Sequence, residues 1–213
     1  KMINLMYLIF IAMLAMNMSK EVLQAFGLMD EKLAVSNEAA TKRNKGAYDD
    51  LALKAVEQKE KYADEKIKAD KIEKMSNDFY NYIEAMKNDM KATVDDPKDY
   101  EKMDSGKFLD DKFFKGDDGV YKEEGQEFLD NMNNYSSQIS SILGSEFKNI
   151  GKGVSDRFST DKVTNREGEE IFWLDYNYKG FPLVASLTKL TQIQNDIKTT
   201  ETEVLSAMLQ GQL

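Results

Sequence analysis

The fold class is decided by the stretch GFPLVASLTKLTQIQNDIKTTETEVLSAMLQ, residues 180–210. Pro182 suits the first turn of a helix, where its missing N–H is no loss. Large apolar residues then recur every three or four positions, the spacing of one helix face: Leu183, Leu187, Leu190, Ile193, Ile197, Val204 and Met208. A helix from Pro182 to Gln210 would span roughly 43 Å at 1.5 Å per residue. The stretch therefore predicts a helix much longer than the average in globular proteins.

Other stretches carry the same helical spacing. One stripe precedes Pro97 and consists of Ile72, Met75, Phe79, Tyr82, Met86, Met90 and Val94. A second consists of Phe128, Met132, Tyr135, Ile139 and Ile142, and a short third one of Phe147, Ile150, Val154 and Phe158. A weaker pattern predicts a helix from Ser36 to about Tyr62. With only 2 prolines and 12 glycines in 213 residues, the pattern favours long helices. We predict an all-α fold, an elongated helical bundle.

Two segments lack this periodicity. Residues 97–125 are predicted to form a long connection that carries one short helix. The aromatic segment from Ile171 to Tyr178 is predicted to be a short strand or an ordered cap over the ends of the bundle, with a partner surface as the alternative.

The composition excludes several classes of function. The chain has no His and no Cys, so it lacks the usual zinc ligands, thiolate nucleophiles and Ser-His or Cys-His dyads. Its net charge of −9 would repel nucleic acid. A hydrolase with paired carboxylates is not excluded by spacing alone. We predict no catalytic, metal or cofactor site, and that the protein is not an enzyme.

The N-terminus carries the strongest functional signal. Met2–Ser19 is a run of eighteen residues without a charge, whereas 31% of the whole chain is charged. As a helix it would span about 27 Å, at the short end of what crosses a bilayer. We predict a transmembrane helix; the alternatives are a cleaved signal peptide, for which a small-x-small site is missing, and a buried soluble helix. The predicted domains are therefore 1–26, the membrane helix with its extension, and 27–213, the bundle.

One face of this predicted membrane helix is small and polar. At 100° per residue, one arc contains Asn4, Tyr7, Ala12, Ala15 and Ser19. Small and polar residues are enriched where membrane helices meet. We predict that this face contacts a partner helix; the alternative is that such residues are merely common and lie near the lipid interfaces.

Beyond Lys20 the apolar residues become periodic. Val22, Phe26, Met29 and Leu33 recur at helical spacing, which predicts that the membrane helix continues into water as an amphipathic extension. Gly27 would permit a bend. We predict that these residues form a rigid segment coupling the membrane helix to the bundle.

Two blocks of sequence resemble a known family. KMINLMYLIFIAMLAMNMSKEVLQAFGLMDEKL at residues 1–33 and GFPLVASLTKLTQIQNDIKTTETEVL at residues 180–205 closely resemble the N-terminal part of the GldM/PorM family. This family is the inner-membrane and periplasmic subunit of the gliding-motility and type IX secretion motor of Bacteroidetes. The middle of the chain matches more loosely.

The resemblance implies a homodimer whose two membrane helices sit inside a ring, pentameric in the family, of the inner-membrane protein GldL. It implies a motor driven by the proton-motive force, a cytoplasmic N-terminus and a periplasmic bundle in a single-pass inner-membrane protein. It also implies contact with the outer-membrane secretion machinery through further domains beyond the last helix. Tyr7 is the position carried over as a polar contact to GldL, whereas a family Arg just upstream of Lys1 has no counterpart in this sequence.

Two rival interpretations remain from the residues alone. A membrane-anchored sensor domain would show a second spanning helix, and none is evident in the sequence. A periplasmic scaffold with a simple anchor would not need a polar face on that anchor.

Overall fold

The structure, a computed structural model, describes residues 2–8 and 19–210. Residues 2–8 are helical (α1). The other helices are α2 (Lys20–Glu57), α3 (Lys59–Lys91), α4 (Lys107–Phe113), α5 (Glu123–Leu143), α6 (Lys148–Arg157), α7 (Trp173–Tyr178) and α8 (Leu183–Gln210). A 3-10 turn lies at Tyr100–Lys102, and the strands β1 (Val163–Thr164) and β2 (Glu170–Ile171) form one antiparallel pair. The all-α prediction is confirmed.

The predicted membrane span is not tested by these residues. Most of Met2–Ser19 lies outside the described ranges. Within those ranges, none of the helices has the length and apolar character needed to cross a bilayer.

The last helix occupies the centre of the bundle. Its partners in space show that α8 runs parallel to α2, because Asn37 bonds to Thr191 and Asn44 to Lys198. In contrast, α3 runs antiparallel to α8, since Tyr62 near its start donates to the Leu209 carbonyl. Helix α8 is consequently buried on more than one side.

The predicted apolar stripes form the core. Every residue of the α8 stripe is buried, as are Phe79, Met86 and Met90 of α3. On α5, Leu143 is buried and Ile142 is only partly so. The segment from Ile171 to Tyr178 supplies the end of β2 and α7, and its Leu174 and Tyr178 are buried. The segment is therefore helical over most of its length and not a strand, and it contributes Leu174 and Tyr178 to the core while Phe172 and Tyr176 are exposed.

Three details of the helices differ from the prediction. The helix expected through Tyr62 ends at Glu57, and Gln58 alone separates it from α3. No Gly or Pro marks this break, so residue propensity could not locate it. Gly27 does not interrupt the helix, because α2 is continuous over 38 residues. Finally, α2 begins at Lys20, because Ser19 has an extended backbone and caps the helix; residues 9–18 lie outside the described ranges.

Candidate functional site

The predicted membrane-helix face is only partly visible. Asn4 and Tyr7 lie in the helical residues 2–8 and are exposed, whereas Ala12 and Ala15 fall outside the described residues. Ser19 is exposed, and its hydroxyl oxygen accepts a hydrogen bond from the Val22 N–H at 3.3 Å. The proposed contact of this face with a partner therefore remains a prediction.

The predicted coupling residues lie beside the buried face of α2, not on it. Val22 and Met29 are 42% and 53% exposed, and Phe26 and Leu33 are half-buried. The positions that face the core at this end of α2 are instead Leu23, Gly27 and Asp30.

This end of α2 is held by the turn at Tyr100–Lys102. The Tyr100 ring packs directly on Gly27, where a Cβ atom would lie 2.1 Å from the ring. Its hydroxyl donates to Glu31 at 2.6 Å, and Lys20 pairs with Glu101 at 3.0 Å. Burial and the Glu31 carboxylate both raise the pKa of Tyr100. The start of α2 is thus fixed to the bundle from its first turns onward.

A buried polar seam joins α2 to α8. We use this name for the residues Asp30, Asn37, Asn44 and Tyr48 of α2 and Thr191, Lys198 and Glu201 of α8, all of which are buried. The Asn37 and Asn44 amides donate to the backbone carbonyls of Thr191 and Lys198 at 3.1 and 2.9 Å. The Tyr48 hydroxyl donates to Glu201 at 3.0 Å, and the Thr191 hydroxyl donates to Asp30.

The seam keeps one register over its length. The two amide contacts each join residues 154 positions apart, and the Tyr48–Glu201 contact joins residues 153 apart. The Thr191–Asp30 contact joins residues 161 apart, because Thr191 lies between Asp30 and Asn37. Residue numbers rise on both helices from one contact to the next, so the two helices run in the same direction. The start of α2 and the end of α8 therefore lie at opposite ends of the bundle.

An ion pair lies inside this seam. The Lys198 ammonium lies 2.8 Å from the Glu201 carboxylate, and the side chains are only 5% and 2% exposed. Burial raises the pKa of Glu201, although Lys198 and the Tyr48 hydroxyl oppose that shift. Such a pair is costly to break, because either partner alone would be a buried charge.

A second buried lysine connects α8 to α3. Lys87 is 3% exposed, and its ammonium donates to the side-chain oxygen of Gln194 at 2.7 Å and to Glu84 at 3.3 Å. Burial lowers the pKa of Lys87. Three long helices are thus tied by directional contacts rather than by apolar packing alone.

The sequence reasoning missed this seam because it counted only apolar residues. Asp30, Asn37 and Asn44 are seven positions apart, in line with the buried Leu23 and Leu51. A seven-residue repeat is the signature of a helix seam, so polar residues in that repeat were the available signal. Buried polar residues at such positions favour one register over others.

Lys189 lies at the junction of α7 and α8 in a different setting. Its ammonium donates to the Asn177 carbonyl and lies 3.7 Å from the centre of the Phe181 ring. No carboxylate in the described part of the chain forms a salt bridge with it. Burial lowers its pKa to about 8.

This shift predicts a pH dependence of stability. Lys189 binds its proton less tightly in the folded state, so the free energy of unfolding should rise with pH above about 8, by up to about 1.4 kcal/mol per pH unit. The chain has no His or Cys, but burial also lowers the pKa of Lys87, which contributes a rise of the same sign in every variant that keeps it. Urea unfolding at several pH values should therefore show a steeper rise in the unsubstituted chain than in Lys189→Met. Equal slopes in the two proteins would contradict the assignment.

The sequence of the helical bundle matches a known protein family. A family model described as the GldM N-terminal domain matches residues 21–211. The chain belongs to this family. The GldM match extends from the first turn of α2 to the end of α8, so it includes the whole polar seam. A comparison with curated proteins returns no match.

Membership in the GldM family indicates the broad function of the chain. It indicates a component of the gliding-motility and type IX secretion apparatus. GldM is a structural component of that apparatus and not a known class of enzyme.

Proposed function

We propose that this chain transmits motion along the bundle, from the N-terminal end of α2 to the C-terminal end of α8, within a motor driven by the proton-motive force. The observation that carries the proposal is the parallel register of α2 and α8. Helix α2 has 38 residues and would extend roughly 57 Å. A load applied at Lys20 therefore reaches Gln210 at the far end through directional contacts between two helices.

The remaining elements of the proposal follow the family resemblance. The chain is a single-pass protein of the bacterial inner membrane, with a cytoplasmic N-terminus and a periplasmic bundle. Two copies place their membrane helices inside a ring of a GldL-like protein, which contacts Asn4 and Tyr7. The far end of the bundle acts toward the outer-membrane secretion machinery through further domains.

The extended backbone at Ser19 refines this proposal. The helix that receives the motion begins at Lys20, directly after the extended residue Ser19. The load enters α2 where Tyr100 and Glu101 hold its first turns.

The proposal predicts that loss of the buried amides in the seam reduces motility and secretion more than it reduces folding of the bundle. In the double variant with Asn37→Leu and Asn44→Leu, each substitution removes a buried amide but leaves its partners. These partners include the Asn195 and Thr202 side chains, which donate to the two amide oxygens. Each lost hydrogen bond costs about 1 kcal/mol, so the thermal midpoint should fall while the bundle stays helical, and colony spreading and protein secretion should fall several-fold. Both are measured in the bacterium that carries the gene.

The matched control is Asn133→Leu, at an exposed position of α5. It makes the same chemical change outside the seam and should leave motility normal. Normal spreading by the double variant, at equal protein level, would count against transmission through the seam.

A further inference from the structure

One connection contacts the first turns of both α2 and α8. Residues 92–106 lie between α3 and α4 and include the 3-10 turn at Tyr100–Lys102; we call these residues the strap. On the side of α2, the Tyr100 ring packs on Gly27, and its hydroxyl donates to Glu31 at 2.6 Å. Tyr100 is only 7% exposed. The strap therefore has a buried anchor on α2.

On the side of α8, the strap supplies acceptors for the first backbone N–H groups of that helix. The Leu183 N–H donates to the Ser105 carbonyl at 3.0 Å, and the Val184 N–H donates to the Met103 carbonyl at 3.2 Å. The first N–H groups of a helix have no acceptor within the helix itself. The start of α8 is thus completed by hydrogen bonds from another part of the chain.

One short turn joins the two sides of the strap. The Met103 N–H donates to the Tyr100 carbonyl at 3.0 Å, and such a bond between residues three apart closes a 3-10 turn. The Tyr100 ring and the Met103 carbonyl therefore belong to the same hydrogen-bonded unit. A shift of the ring displaces the carbonyl as well.

A cavity behind the strap leaves room for this movement. Its volume is about 370 Å³, and its lining includes Val94, Met103, Phe108 and Leu183. Close-packed interiors transmit strain, whereas side chains beside a void lack partner atoms on that side. The position of the strap therefore depends on its contacts with α2 and α8.

Direct hydrogen bonds between α2 and α8 begin further along both helices. Among the described residues, the first of them joins the Thr188 hydroxyl to the Phe26 carbonyl at 2.9 Å. Helix α2 begins at Lys20 and α8 at Leu183, so the first turn of each helix precedes this contact. In these first turns the strap provides the hydrogen bonds that reach both helices.

We propose that Tyr100 is a positioning residue, which holds the start of α8 in place from its site on α2. With the ring on Gly27, the Met103 and Ser105 carbonyls stay on the first N–H groups of α8. A displacement of the first turns of α2 then moves the start of α8 with it. This inference rests on the proposed function and adds a second route for the load, which enters α8 at its first turn and is separate from the polar seam.

Amide hydrogen exchange in the full chain, in mild detergent, tests this coupling. Tyr100→Ala removes the ring and should make the Leu183 and Val184 N–H groups exchange about ten-fold faster, because their acceptors lose support. The N–H groups of Val204 and Leu205, near the other end of α8, should keep their rates. Tyr100→Phe retains the ring and should stay within about three-fold of the unsubstituted chain at all four positions.

Tyr62→Ala is the matched control at the opposite end of the bundle. Tyr62 is 5% exposed, and its hydroxyl donates to the Leu209 carbonyl at 3.4 Å. The same chemical change at this end should leave the exchange of Leu183 and Val184 unchanged. Equal acceleration along the whole of α8 in Tyr100→Ala would show a loss of stability alone and would overturn the positioning role.

Gly106→Ala tests the coupling from the side of α8 with the Tyr100 ring retained. A Cβ at Gly106 would lie 2.8 Å from the Phe181 carbonyl oxygen, so the end of the strap must move away from α8. Coupling between two sites is reciprocal. Exchange of the Leu23 N–H in the first turn of α2 should therefore rise as well. Faster exchange at Leu183 with an unchanged rate at Leu23 would contradict the coupling.

Colony spreading separates this inference from the proposed function. At equal protein level, Tyr100→Ala should reduce spreading several-fold, whereas Tyr100→Phe should spread normally. Normal spreading by Tyr100→Ala, with reduced spreading by the double variant at Asn37 and Asn44, would overturn the strap as a route and leave the proposed function standing. Normal spreading by both variants would overturn this inference and the proposed function together.

Discussion

Lys198→Met is expected to lower the free energy of unfolding by about 3–5 kcal/mol. The substitution removes the ammonium that lies 2.8 Å from Glu201 and leaves a buried carboxylate with only the Tyr48 hydroxyl as a hydrogen-bond donor. Urea unfolding, followed by the fluorescence of Trp173, the chain's one tryptophan, measures the loss.

Two variants make this result specific to the buried charge. Adding Glu201→Gln to Lys198→Met should recover most of the stability, because the amide oxygen still accepts from Tyr48 and carries no charge. Lys42→Met breaks a pair whose side chains are 75% and 69% exposed and should change stability little. A loss no larger than that of Lys42→Met would show that the Lys198–Glu201 pair does not hold α8 in place.

Gly27→Ala is expected to destabilise the bundle by about 1–3 kcal/mol, although alanine is the better helix former by about 1 kcal/mol. The new Cβ would lie 2.1 Å from two ring atoms of Tyr100. The ring must then move, and the contact of its hydroxyl with Glu31 is lost with it. The same urea titration measures the change.

Gly46→Ala is the matched control within the same helix. A Cβ at Gly46 meets nothing within 4 Å, so this variant should gain up to about 1 kcal/mol from helix propensity. Opposite signs for the two substitutions are expected. A gain at both positions would mean that Tyr100 does not fix the start of α2.

The long helices were predictable because their apolar residues repeat at helical spacing. The stripe of α8 and most of the stripe of α3 are buried as the spacing indicates. The break at Gln58 was not predictable, because the tertiary packing of α3 against α8 reverses the chain without a residue that disfavours helix. Likewise, Gly27 allows a bend in principle, but its actual role is to admit the Tyr100 ring.

The polar seam was the main feature that apolar periodicity could not reveal. Thr191, Lys198 and Glu201 resemble surface residues until α8 is known to be enclosed by other helices. Apolar spacing alone also selected the wrong face of α2 as the one that contacts the bundle. Val22 and Met29 give a clear apolar stripe, yet the seam lies on the adjacent face, where Asp30 and Asn37 are buried.

The central place of α8 also determines how the domain can fold. Its contacts with α2 join residues about 154 positions apart, so the core closes only after the last 28 residues of the bundle have been made. Until then α2 and α3 lack the central helix, and the residues that they bury against α8 stay accessible to chaperones and proteases. Contacts of such sequence separation also slow folding. Assembly of this domain must therefore be a late event, completed by its C-terminal helix.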